Sequence, residues 1–544
     1  MSTGRNAHCG VSTDLIWAIT PFGQPRAALV IAIARAGAFG VLDVGTSPAA
    51  AVAALATAAA GIGDRARFGI RIGALDLIDS YQLPPAVRTV VFAAGSVVSR
   101  DRLARWPGRR LVVEVTSLEG GERAVAAGAD GLIAKGAESA GHVGDVGSFV
   151  LLQQLIARFD IPVWCQGGIG LHTAAGAVAA GATGVVLDTQ FALVKEMELP
   201  AAVRAAIASM DGAETAIVGQ HRVFVRPDIA AVPGDSDPAE VAARLGIDLQ
   251  SSLLPTGQDS ALAAPLAKRF HTAGGVVHAL RAAIGSQLRS ASEQHILSPG
   301  SAFAQAFGLR YPIAQGPMTR VSDRPAFAAE VAHGGGLPFL ALALMAPSDA
   351  RDLLEQTKAL MAGRTWGVGI LGFVPPELRS GQLAAVLDVG PTVALIAGGR
   401  PSLARPLEDA GIATFLHVPS PGLLELFLRE GARRFVFEGR ECGGHVGPRS
   451  SFVLWEQQIA QLLKGKVDGI DVLFAGGIHD ARSAAAVAAM AAPLAERGAR
   501  VGVLMGTAYL FTSEAVATGA IKAPFQEAAV ACARTALLET APGH

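Results

Sequence analysis

Two stretches of the chain follow one plan, and this internal repeat limits the fold more sharply than any other feature. EVTSLEGGERAVAAGADGLIAKGAESAGHVG begins at Glu114, and HVPSPGLLELFLREGARRFVFEGRECGGHVG begins at His417. The distance from Glu114 to His142 equals that from His417 to His445. Each block reads as strand, helix closed by a small Gly-Ala turn, strand, then a glycine-rich loop holding one histidine. Phe149 and Phe452 stand at matching places beyond the loop. Downstream, DIPVWCQGGIG faces DVLFAGGIHD. Each is a short apolar strand ending in Gly-Gly-Ile, followed by an Ala-rich helix and another apolar strand. Self-similarity at this scale marks a repeated architecture.

Short apolar strands alternating with helices predict parallel βαβ units. Two such sets predict an α/β chain of two tandem (β/α)8 TIM-type barrels, over 13–220 and 300–530. Loops rich in Gly and polar residues follow the strands, where such barrels hold their sites. The segment 221–299 breaks the rhythm with Pro227, Pro233, Pro238 and Pro255. It reads as a connecting region, helical around 271–288, or else as an appendage packed on one barrel.

Composition excludes several classes. Hydrophobic residues are 51% and charged residues 17% of 544, so the chain can bury large cores. Net charge is −1 with no basic block, which argues against a nucleic-acid partner. Mean hydropathy is +0.40, yet no run of about 20 apolar residues escapes Gly or charge, so no membrane partner is expected. The start, 1–10, lacks the apolar core of a secretory signal. Cys9, Cys165, Cys442 and Cys532 are far apart, without a C-x-x-C pair. That spacing fits a reducing, cytoplasmic setting and speaks against a disulfide framework or zinc site.

In the second half, AQGPMTRVSD, GVGILGF, ECGGHVG, AGGI and LMGTAY follow in order. In this order and combination, both halves resemble the nitronate monooxygenase (2-nitropropane dioxygenase-like) family of FMN barrels, whose architecture FMN-dependent enoyl reductases share. The tandem arrangement is similar to N-terminal regions of some polyketide synthases. The resemblance covers most of 300–515 and, more weakly, 14–195. It implies FMN, with NAD(P)H as a transient reductant in the reductase case, and a small-molecule or carrier-bound acyl substrate. Other synthase domains would be partners.

By resemblance, Gln315, Gly316, Pro317 and Met318 line the flavin after the first strand. Gly443 and Gly444 let backbone approach it, and His445 faces the reacting carbon as the catalytic residue. Gly476, Gly477, Met505, Gly506 and Thr507 lie at the phosphate end. This last assignment also has its own physical sense. A dianionic phosphate needs several inward N–H groups, glycines permit close approach, and a following helix N-terminus adds a favourable dipole. Thr507 can add a hydroxyl donor. A neutral imidazole can take or return a proton near pH 7; a His that only bonds its own loop or the FMN is the plainer alternative. Met318 reads as an apolar cover for the flavin or as core packing, and Cys442 as a small packing residue.

Two positions of the second half depart from the family pattern: Gly369 stands where Asn is usual, and Glu438 where Gln is common. Both are cofactor-side positions, and they touch nitroalkane oxidation more than flavin binding. The first half departs further. ITPFGQP replaces QGPM, Lys135 stands at the Glu438 position, Ser139-Ala140 precede Gly141-His142, and Asp188-Thr189 replace Gly506-Thr507. Asp188 would oppose a phosphate, so the first barrel is expected to be a degenerate partner with weak or absent FMN. Two other readings stay open: a non-catalytic module of a multienzyme synthase, and a phosphate-binding lyase or isomerase barrel without flavin.

Overall fold

A computed structural model describes residues 13–63, 66–73, 77–226, 233–533 and 535–536. The polar start and Cys9 lie outside them, as does Pro227. The chain divides into two compact units, 1–285 and 286–544.

In the first unit, strands β1 (Ile16–Ile19), β2 (Phe39–Asp43), β3 (Phe68–Ile72), β4 (Val87–Phe92), β5 (Arg110–Val115), β6 (Gly131–Lys135), β8 (Val163–Gln166) and β9 (Gly184–Leu187) close a parallel barrel. Closure is the pairing of β1 with β9. A three-stranded antiparallel sheet is built from β7 (Gly141–His142), β10 (Thr215–Val218) and β11 (His221–Phe224). In the second unit, β12 (Ile313–Gln315), β13 (Leu337–Ala341), β14 (Gly367–Leu371), β15 (Val393–Ala397), β16 (Ala413–His417), β17 (Arg434–Glu438), β18 (Asp471–Ala475) and β19 (Arg500–Met505) close the second barrel, β12 pairing with β19. The fold is therefore two tandem (β/α)8 barrels.

The local signals that build the two copies are the same. Ser117 caps the helix Leu118–Ala127 by accepting from Gly120 N–H; Ser420 caps Pro421–Arg429 by accepting from Leu423 N–H. Such caps satisfy a helix-end donor that would otherwise be orphaned. The strands between are Val-, Ile- and Phe-rich because a parallel sheet sheathed in helices is buried on both faces.

Each barrel has its own packed interior. The first holds Trp17, Phe39, Val112, Ile133, Trp164 and Val186, with the Trp17 and Trp164 rings 4.5 Å apart. Arg110 lies over both indoles, at 4.9 and 5.2 Å, and pairs with Asp14 at 2.9 Å. The second holds Phe303, Phe307, Phe339, Leu395, Phe415 and Leu473.

The segment 221–299 divides. Up to Gly285 it belongs to the first unit. Its β11 extends the small sheet, Leu254 and Ala263 pack with Phe22, Val203 and Ile207, and Leu253 packs with Val218 and Val223. Apolar residues between the prolines, not a helical period, anchor it there. Its helix runs from Ala273 to Gln294.

Phe415 is fully buried, 6.3 Å from Phe303 and 5.8 Å from Phe307 between ring centroids. Truncating such a ring loses its transfer energy and leaves a cavity. Phe415→Ala should destabilise the second unit by about 3–5 kcal/mol, read as a lowered urea midpoint; a midpoint equal to the parent's would show that the ring does not pack as described.

Candidate functional site

The second barrel gathers its motif residues at the C-terminal ends of its strands. Closure sets Gln315 beside Met505 in register, and Gly316 N–H continues the ladder to Met505 O at 2.9 Å. This brings the Gly316–Met318 turn against the loop after β19. A Cβ added at Gly506 would lie 3.8 Å from Met318 Sδ. One strand over, β18 ends at Gly476 and Gly477, with φ of 123° and 69°, a region costly to any side chain. A Cβ at Gly476 would meet Ser451 Oγ at 2.5 Å and Cys442 Sγ at 3.4 Å. The β17 loop is thereby fixed against the β18 loop. Glu441 ties it down further, accepting from Ser451 N–H at 2.7 Å and Ser451 Oγ–H at 2.6 Å.

Within that loop Gly443, Gly444 and His445 are exposed, and a Cβ at either glycine would meet nothing within 4 Å. The His445 ring stands edge-on to Phe373, with centroids 4.8 Å apart. Phe373 follows β14, so the imidazole sits across the mouth from its own strand. Thr507 is exposed and Met505 half-buried. Burial, then the neighbouring Glu438 and Glu441, push the Cys442 thiol well above its usual range, which leaves it a packing group and no nucleophile.

Two residues at the mouth went unread in the sequence. Glu438 Oε2 accepts from His417 Nδ1 at 2.7 Å, joining the ends of β17 and β16. His417 marks the start of the repeat, but nothing in its local pattern announces a partner on the next strand. Phe373, in the GVGILGF motif, is the other. At Gly369 a Cβ would overlap the Pro317 ring, so in this chain the glycine lets the β12 loop close against β14.

The first barrel's mouth is built differently. Arg71, on β3, donates to both Glu114 oxygens at 2.6 and 2.9 Å and to Asp43 Oδ2 at 2.6 Å. Lys135 reaches Glu114 at 3.4 Å. Asp188 accepts from Gln166 Nε2 at 3.1 Å and from Thr189 N–H at 2.6 Å. Burial opposes the charge on Glu114, but Arg71 and then Lys135 outweigh it and hold the carboxyl well below the usual range. The swap at the matched pair is complete: Glu114 with Lys135 in one barrel, His417 with Glu438 in the other.

The histidine loops differ too. His142 pairs in register with His221, their rings 5.2 Å apart edge to face, and space beside Gly95 is filled by the His142 ring. Burial, then His221 and Lys135, push the His142 pKa down to about 4.

Elsewhere, a cavity of about 410 Å³ opens at the opposite end of the second barrel, lined by Phe307, Thr365, Thr392, Arg434 and Arg500. Its arginines are tied to Asp471 at 3.2 and 2.5 Å, and it lies away from the motif residues. Among the described residues no helix is long and apolar enough to cross a membrane, and no group of three or more His, Cys, Asp or Glu could hold a metal.

Two closed parallel α/β barrels, one with an open glycine-lined mouth beside an exposed histidine, define the class of protein as a tandem (β/α)8 barrel. The particular family follows from comparison with known proteins. The nitronate monooxygenase model matches residues 82–226 and 376–541, one stretch in each barrel and more than half of the chain; the chain belongs to the nitronate monooxygenase family. A (3aS,4S,5R,7aS)-5-hydroxy-7a-methyl-1-oxo-octahydro-1H-indene-4-carboxyl-CoA dehydrogenase of Rhodococcus jostii is 29% identical over 231 residues, 41% of this chain and 58% of that one. The dehydrogenase of the same name from Mycobacterium tuberculosis is 32% identical over 189 residues, 33% and 52% of the two chains. A nitronate monooxygenase of Pseudomonas aeruginosa is 34% identical over 123 residues, 20% and 34%. The chain thus spans about half the length of the first two relatives. Among solved structures, FabK from Thermotoga maritima has a TM-score of 0.44 at 21% identity, over 51% of this chain and 94% of its own.

The family implies a flavin of the FMN type. Three features of the second mouth fit it. Gly443 and Gly444 leave open space, and Gly506 puts no carboxylate at the phosphate end, where the first barrel has Asp188. Gln315 Oε1 is buried with no hydrogen-bond partner among the described residues, a cost of about 1–3 kcal/mol that a polar ring edge would remove.

The depressed His142 pKa has a sign. A histidine held neutral in the fold contributes stability that is full above pH 6.5 and is lost as pH falls through about 4. In an NMR titration of the ring protons, the His142 midpoint should fall near 4. A midpoint at or above 6 would mean that the ring is open to water.

Proposed function

We propose that the second barrel is an FMN-dependent oxidoreductase site for an activated acyl or other carbon-acid substrate, with His445 handling the substrate proton. The observation that carries this reading is the convergence of five motifs on one mouth. Gln315–Met318, Gly369, the Glu438–His445 loop, Gly476–Gly477 and Met505–Thr507 are joined by the contacts of Pro317, Met318, Cys442 and Phe373. Support for a thioester substrate comes from two relatives named as dehydrogenases of a carboxyl-CoA.

Bound there, the flavin would supply two-electron chemistry, taking or giving a hydride at N5. The backbone N–H groups of Gly476, Gly477 and Gly506, with the Thr507 hydroxyl, would hold its phosphate. Gln315 would offer its unpartnered amide oxygen to a donor on the ring, and Met318 and Pro317 an apolar wall. His445, exposed beside Phe373, can remove a proton from a carbon acidified by its thioester, or return one. The Glu438 carboxylate is engaged by His417, which fixes that imidazole with Nδ1 as donor. In a reductase, NAD(P)H would supply the hydride; in an oxygenase, O2 would take the electrons.

The purified chain should carry about one flavin, and anaerobic mixing with NADPH or with a nitronate separates reductase from oxygenase by which reagent bleaches it. His445→Ala should keep the flavin while turnover falls about 10²–10⁴-fold. A chain that stays colourless after FMN addition would favour the non-catalytic module, and undiminished turnover in His445→Ala would remove the imidazole from the chemistry.

A further inference from the structure

The first barrel keeps the loops that would grip an anion, and the chain itself fills them. Gly168 and Thr189 occupy the repeat positions of Gly477 and Thr507. Between them lies the fully buried carboxylate of Asp259, from the helical turn Gln258–Leu262. Thr189 Oγ1–H donates to Oδ1 at 3.1 Å, Gln190 Nε2–H to Oδ2 at 3.4 Å, and Gly168 N–H also donates to the carboxylate.

The strap that delivers Asp259 is itself locked. Residues 253–263 are all buried. Gln258 N–H donates to Glu138 O at 2.8 Å and Phe224 N–H to Leu254 O at 3.0 Å. Gly257 is required, because a Cβ there would collide with Asp259 and with Glu138 O. The strap continues from the β10–β11 hairpin that pins His142, so one segment covers both the phosphate end and the histidine of the first mouth.

We propose that Asp259 is the resident ligand of an anion site in the first barrel, and that this site takes a small carboxylate and not a nucleotide phosphate. A carboxylate offers two acceptor oxygens to three donors without the second charge of a phosphate. That second charge would be expensive here, because Asp188 shares the Thr189 hydroxyl at 3.4 Å and Glu138 is close. Burial, then the proximity of Asp188 and Glu138, already raise the Asp259 pKa well above the ordinary carboxyl range. The site therefore has no reserve for a dianion. The inference does not depend on the chemistry of the second barrel.

Asp259→Gly in the full chain removes the ligand and leaves its donors. The first unit of this variant should melt at least about 5 °C lower. Excess sodium formate should return half or more of the loss, and sodium chloride at equal ionic strength should not. Asp259→Asn, whose amide still fills the space, should gain nothing from formate. Should the glycine variant fail to fold, Asp259→Ser carries the same comparison. Melting unchanged from the parent, or chloride acting as well as formate, would overturn the proposal. Rescue by inorganic phosphate exceeding that by formate would overturn it too, by showing a phosphate site.

Discussion

Everything at the second mouth depends on closure of its barrel, the pairing of β12 with β19. The strands are short, and three register pairs, from Ile313 with Val503 to Gln315 with Met505, fix it. Because side chains alternate along a strand, a slip of one residue would exchange inward and outward positions. Gln315 would then leave the floor, and Met318 would lose its place beside Gly506. The remaining contacts follow from this register: Pro317 against Gly369, the β17 loop against Gly476, His445 over Phe373. The aromatic interior around Phe303 and Phe415 holds that register by filling the barrel from below.

The same scaffold supports opposite uses of its C-terminal rim. In the second barrel, small residues stand at Gly443, Gly444 and Gly506, with open space beside the first two and Met318 beside the third. In the first, charged residues reach inward at Asp43, Arg71, Glu114 and Lys135 and satisfy one another. A buried charge without a partner costs several kcal/mol. Arg71 on β3 has such partners in Asp43 of β2 and Glu114 of β5. The interior around Trp17 and Trp164 is a separate apolar cluster, with Arg110 laid over its indoles and paired with Asp14.

The barrels themselves were legible because their signals are local. Caps at Ser117 and Ser420, apolar strands and the Gly-Gly turns all act within a few residues, and duplication let each copy corroborate the other. The glycine positions of the second mouth were legible for the same reason. What escaped reading is held by distant partners. Asp259 bonds a hydroxyl 70 residues away, and β11 pairs with β7 across some 80 positions of chain. The prolines of the intervening segment read either as a connection or as an appendage on one barrel, and its buried leucines pack it on the first unit. His417 with Glu438 is likewise a contact between neighbouring strand ends, invisible until the strands are ordered.

The two histidine loops show why a shared motif does not carry a shared role. Both copies read Gly-His-Val-Gly, and both are fixed by a glutamate, Glu138 or Glu441, bonded to the serine that opens the next helix. An imidazole that exchanges protons must reach its substrate and must be able to hold either charge state. His445 is exposed and rests on one aromatic edge. His142 is a strand residue facing His221 near Lys135, where burial, then His221 and Lys135, oppose the uptake of a proton more than Glu114 favours it. The difference comes from the hairpin after the first barrel and not from the motif: β10 and β11 pair with the first copy, and among the described residues no such sheet pairs with the second.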